Sequence, residues 1–193
     1  MDSITKYTDS DCTGLIEDLK NPPGCFVDLV VSPPRIYKKT NTEILKFVCN
    51  GEKLPGIYIT VSRPYDLILK NPNERKGKVD NLFFIDLITK TGGRSPARTG
   101  KCRFVSSPGS ITDPCIALDE VIYLNDNKKF LFPDTVSSLL IYNPAGTIKN
   151  FEIFLTKRMR SGNLKGILIS IDEGEKEIID FITQFCDKCM VAG

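Results

Sequence analysis

The chain has 193 residues, 41% hydrophobic and 26% charged, with 26 Lys and Arg against 24 Asp and Glu for a net charge of +2. That near-balance excludes a strongly basic nucleic-acid protein and an acidic solvating tail, and no apolar run approaches the roughly 20 residues of a membrane span. Histidine is absent, which removes Ser-His-Asp and Cys-His catalysis, imidazole metal sites and the commonest general base.

In chain order, residues 1–24 read as a polar arm or short helix closed by the turn Asn21-Pro-Pro-Gly24. The start, MDSITKYTDSD, has no apolar stretch of the signal-peptide kind, so a cytoplasmic location is expected. One domain is expected over 25–193. CFVDLVV (25–31) is a short apolar run of strand length, and the loop SPPRIYKK follows it. Thr40 to Glu43 has capping-box spacing, so a helix is expected from Thr40, with Ile44, Leu45, Val48 and Cys49 on one face and Asn50-Gly51 at its end.

GIYITV (56–61) is the second expected strand, and 62–69 reads as a short helix with proline near its start. NLFFIDL (81–87) is the third strand. The excursion 88–112 carries five cations, Lys90, Arg94, Arg98, Lys101 and Arg103, and no acid. A helix runs from Asp113 to Leu124, then KFLFPD (129–134) forms the fourth strand and 135–143 a short helix or extended segment. A helix over 147–160, a strand over 164–170, an amphipathic helix over 174–185 and a short last strand over 188–192 complete the pattern. Strands that are apolar throughout and separated by helices imply a three-layer α/β domain with a mostly parallel central sheet. Ligands of such sheets sit beyond the strand carboxyl ends.

Seven cysteines, at 12, 25, 49, 102, 115, 186 and 189, are expected as free thiols. Cys186 and Cys189 form one CxxC with no second ligand pair, so zinc is not expected there.

Three segments together resemble the RecA-type P-loop ATPases, in their archaeal KaiC-like branch. Asp134-Thr-Val-Ser-Ser-Leu-Leu-Ile-Tyr-Asn143 is similar to the segment that holds the Walker B aspartate. Gly56 to Tyr65 looks like the second strand and its exit, and Phe84-Ile-Asp86 like the third. The resemblance implies a RecA/KaiC-like fold and places Asp134 where a magnesium ion would sit if a nucleotide bound. Pro33-Pro-Arg-Ile-Tyr-Lys38-Lys39-Thr40 stands where the phosphate loop belongs. Lys39 and Thr40 hold the lysine and hydroxyl positions, but Pro33 and Lys38 replace both glycines, and a proline lacks an N–H donor. The carboxylate that the resemblance implies at the exit of the second strand is replaced by Val61-Ser-Arg-Pro64. The family's basic hairpin has no counterpart before Gly193, so a nucleotide-bridged ring is not expected.

These observations lead to a degenerate member of the fold with a regulatory or scaffolding role through a protein partner, without catalytic residues and without a cofactor. The alternatives are an ATP- and magnesium-binding protein using Lys38, Lys39, Thr40 and Asp134, and a nucleic-acid accessory protein using Arg94, Arg98, Lys101 and Arg103. A homodimer through the apolar run Leu139–Tyr142 is expected, and a membrane partner is not.

Overall fold

The structure, a computed structural model, describes residues 4–8, 12–20, 24–51, 55–71, 79–93, 95–97, 99–123, 130–172 and 176–193. Its strands are β1 (Ile4–Tyr7), β2 (Phe26–Ser32), β3 (Gly56–Thr60), β4 (Leu82–Asp86), β5 (Cys102–Phe104), β6 (Phe130–Pro133), β7 (Lys165–Ile171) and β8 (Lys188–Ala192). They form one sheet in the order β1-β8-β2-β7-β6-β3-β4-β5, and every pairing is parallel.

The helices are α1 (Thr13–Lys20), α2 (Pro34–Lys46), α3 (Tyr65–Lys70), α4 (Thr112–Tyr123), α5 (Ala145–Ser161) and α6 (Lys176–Thr183). They cover the sheet in chain order. Leu15 and Leu19 of α1, Ile44 and Leu45 of α2 and Ile68 of α3 pack on one face. Leu118 of α4, Ile148, Phe151 and Leu155 of α5 and Ile178 and Ile182 of α6 pack on the other. All seven residues of β2 are buried, with Val27, Leu29 and Val31 facing one core and Phe26 and Val30 the other. Two buried faces explain why this strand is apolar throughout rather than alternating. Each fully buried aliphatic side chain adds roughly 1.5–3 kcal/mol.

At Gly166 of β7 a Cβ would lie 2.3 Å from the Met159 sulfur, so only glycine lets α5 sit this close to the sheet. From β2 the chain passes over two positions to β3, and β6 and β7 fill them later. The exits of β2, β7, β6 and β3 therefore adjoin at one rim.

Four local expectations change. The helix after β2 starts at Pro34, not at Thr40, and Thr40 lies inside it rather than capping it. Pro34 takes the first helical position, where a missing N–H costs nothing and the fixed φ suits the helix. The basic excursion contains β5, three residues that pair with β4. Within 1–24, residues 4–7 form β1 and join the sheet beside β8. The segment after β6 is a 3-10 turn, Ser137–Ile141.

Candidate functional site

The rim at the exits of β2, β6 and β3 holds the residues that the sequence singles out. Between the end of β2 at Ser32 and the start of α2 at Pro34 stands Pro33 alone. A phosphate cradle needs a loop of backbone donors between strand and helix. Here Pro34 has no N–H, and the amides of Ile36 and Tyr37 both donate to the Pro33 carbonyl at 3.1 Å. Lys38 and Lys39 lie exposed in the second turn of α2. The Thr40 side chain is wholly buried, and its hydroxyl donates to the Ile36 carbonyl at 3.2 Å and accepts from Ser32 Oγ at 3.3 Å.

Asp134 follows β6 and is fully buried. Its Oδ1 accepts the Val61 amide at 3.0 Å, and its Oδ2 accepts the Ser62 hydroxyl at 2.6 Å and the Ser62 amide at 3.3 Å. The Thr60 hydroxyl also lies 3.3 Å from Oδ2. Burial raises the Asp134 carboxyl above its ordinary range, opposed by the bonds from Ser62 and Val61 and by the nearby Arg63. Its carbonyl accepts the Tyr37 hydroxyl at 3.0 Å and the Asn41 amide at 3.2 Å, and Asn41 Oδ1 in turn accepts the Tyr58 hydroxyl at 3.2 Å. Asp134 is thus the hub that ties α2, β3 and β6 together. Its oxygens point inward, and the proline junction supplies no loop of amides. The residues present do not fit a triphosphate with its magnesium ion.

Tyr37 and Asn41 escape the sequence reading. A signal was available. Ile36-Tyr37, Thr40-Asn41 and Ile44-Leu45 recur in pairs four residues apart, which is helical spacing starting directly after the two prolines.

Asp86 plays a comparable part at the exit of β4. It is fully buried and accepts the amides of Tyr65, Ile88 and Thr89, each at 2.8 Å, and the Thr89 hydroxyl at 2.5 Å. Each buried carboxylate here fixes the backbone of a neighbouring loop.

The cations of the excursion are dispersed. Lys90 donates to the Phe104 carbonyl at 2.8 Å, and Arg103 pairs with Glu120 of α4 at 3.1 Å. Lys101 is exposed, while Arg94 and Arg98 lie outside the described residues. Of the run after β6, Leu139 is fully buried and Leu140 packs against the core, while Ile141 is 77% and Tyr142 40% exposed. Cys186 and Cys189 are both buried, and burial raises both thiols. Among the described residues no cluster of metal-ligating side chains forms, and no helix is long and apolar enough to cross a membrane.

No protein-family model matches the sequence, and no curated protein matches it. Solved structures do match the fold. The KaiC-like protein PH0186 from the hyperthermophilic archaeon Pyrococcus horikoshii OT3 superposes with a TM-score of 0.60 at 13% identity, covering 86% of this chain and 71% of that one. The uncharacterized protein PH0321 from the same organism, crystallised in complex with an unknown peptide, gives a TM-score of 0.58 at 11% identity, covering 91% of this chain and 80% of that one. With its all-parallel sheet between two helical layers, the chain has the RecA-like α/β fold of the KaiC type.

Proposed function

We propose that this chain is a RecA-like domain that has lost nucleotide chemistry and acts as a regulatory or scaffolding module through contacts with other proteins. One observation carries the reading. The junction between β2 and α2 is reduced to Pro33, which moves Lys39 and Thr40 into the body of the helix. Phosphoryl transfer relies on backbone donors, a metal-holding carboxylate and a group that orients the nucleophile. The first is replaced by prolines, the second is enclosed by β3, and Ser62 stands where the third would be. A buried polar hub that is fully hydrogen-bonded holds the rim rigid, which suits a scaffold better than a site that must admit ligand. The unknown peptide held by PH0321 agrees with a protein-binding use of this fold.

The test is phosphate release from ATP with magnesium. The expected result is no turnover above buffer. Turnover abolished by Lys39→Ala or Asp134→Asn would overturn the reading in favour of an ATPase.

A further inference from the structure

We propose that Glu152 is a proton-controlled latch between α5 and α6: α6 stays docked while this carboxyl is neutral, and loss of the proton releases α6 from the sheet. The inference stands apart from the protein-contact reading above.

On α5, residues 149, 152, 156 and 160 lie at helical spacing along one stripe. Polar clasps to α6 and its exit mark the two ends of that stripe. Lys149 Nζ donates to Glu177 Oε1 at 2.5 Å and sits 5.3 Å from the centre of the Phe181 ring. Arg160 donates to the Phe185 carbonyl at 3.0 Å and to the two Asp187 oxygens at 3.0 and 3.2 Å. Glu152 lies between the clasps. It is fully buried, and neither carboxylate oxygen has a hydrogen-bond partner among the described residues. The next hydroxyl along the stripe, that of Thr156, donates instead to the Glu152 carbonyl at 2.9 Å. A buried carboxyl in this position must stay neutral or reach water.

No element packed on this side brings a counter-charge. β2 turns Val27, Leu29 and Val31 toward it, and Asp28 alternates to the other face. β7 turns Leu168 and, by the same alternation, Ser170, whose buried hydroxyl also has no partner among the described residues. Lys165 and Lys188 serve the other core, over the Phe130 ring and against Asp18. Arg158 pairs with Asp119 of α4. The turn over 137–141 has no ionisable side chain. α6 contributes Ile178 and Ile182, while its Lys176 and Asp180 are exposed and its Glu177 is held by Lys149. Past α6 stand the buried thiols Cys186 and Cys189. Burial raises the Cys186 thiol, and Glu152 adds to the rise, so the two groups sense each other.

Of the two helices, α6 is the one to yield. It has eight residues against seventeen in α5, and a helix that short does not hold in isolation. α5 is seated on β7 where Met159 meets Gly166. The clasps that hold α6 reach into solvent, where ion pairs are weak. Above the ordinary carboxyl range the released form ionises Glu152 while the docked form keeps its proton. Opening therefore grows with pH until the docked carboxyl, pushed up to about 8 by burial, ionises as well.

The test is amide hydrogen exchange of the full chain, read by peptide and corrected for intrinsic rate. Opening of α6 should rise about tenfold per pH unit from about pH 5 to about pH 8 and then level off, and it should exceed opening of β3 and β4 throughout. Glu152→Gln should abolish the rise, and Asp28→Asn, on the other face, should leave it. If Glu152→Gln fails to fold, Lys149→Ala still decides: it should raise α6 opening roughly two- to fivefold at every pH with the slope unchanged. Opening of α6 that is flat with pH would overturn the proposal. So would a rise that survives Glu152→Gln or is lost in Asp28→Asn, a slope altered by Lys149→Ala, or α6 opening only together with β3 and β4.

Discussion

The hydroxyl of Ser62 donates a 2.6 Å hydrogen bond to the carboxylate of Asp134. The bond joins the exit of β3 to the exit of β6 at the rim where ligands of open α/β sheets bind. It makes this aspartate an internal brace. The same residue's carbonyl holds Tyr37 and Asn41 of α2, so three elements lock through one residue.

Ser62→Ala removes the shortest of the bonds to a fully buried carboxylate. Leaving a buried polar group short of a partner costs about 1–3 kcal/mol, so urea unfolding should shift by that order with an unchanged slope. A loss below about 0.5 kcal/mol, typical of an inert surface site, would mean that the brace contributes little.

Lys39→Ala and Thr40→Val should separate in the same assay. Lys39 is exposed on the second turn of α2, and its removal should stay within about 0.5 kcal/mol. Thr40→Val leaves the buried Ser32 hydroxyl without its side-chain partner and should cost about 1–2 kcal/mol. The opposite ranking would contradict the placement of both residues in the helix.

Glu152, in the middle of α5, is fully buried, and neither carboxylate oxygen has a hydrogen-bond partner among the described residues. Burial raises its carboxyl from 4.5 to about 8. Between those values the folded chain keeps a proton that the unfolded chain has released. Stability is therefore full below the unfolded value and falls by about 1.4 kcal/mol per pH unit as pH rises toward the folded one. Asp28, raised to about 7 by burial and then by Asp187, acts in the same direction. Glu152→Met should stabilise the protein near pH 8 and flatten the slope of stability between about pH 5 and about pH 8. An unchanged slope would place the ionisation elsewhere.

Much of the fold was legible because β2, β3, β4, β6 and β7 are buried on both faces, and apolar runs of strand length announce that burial. The edge strands β1 and β5 were not legible. They are short and half-polar, and what makes them strands is the neighbour each pairs with. The start of α2 was lost because Thr40 and Glu43 mimic a capping box, while the true signal was proline at the first helical position. Asp134 was visible as a strand-end aspartate. Its enclosure was not, since the three residues that bond its carboxylate lie more than seventy positions away in sequence. Glu152 reads as one more charge on an amphipathic helix until the packing of α5 on β2 and β7 buries it.

Isothermal titration calorimetry of the full chain with ATP and magnesium tests the central claim most directly. The account predicts only heats of dilution, the same for the wild type and for Lys39→Ala, because Pro33 leaves no loop of amides and Asp134 no outward oxygen. Saturable binding that needs magnesium and disappears in Lys39→Ala would contradict it.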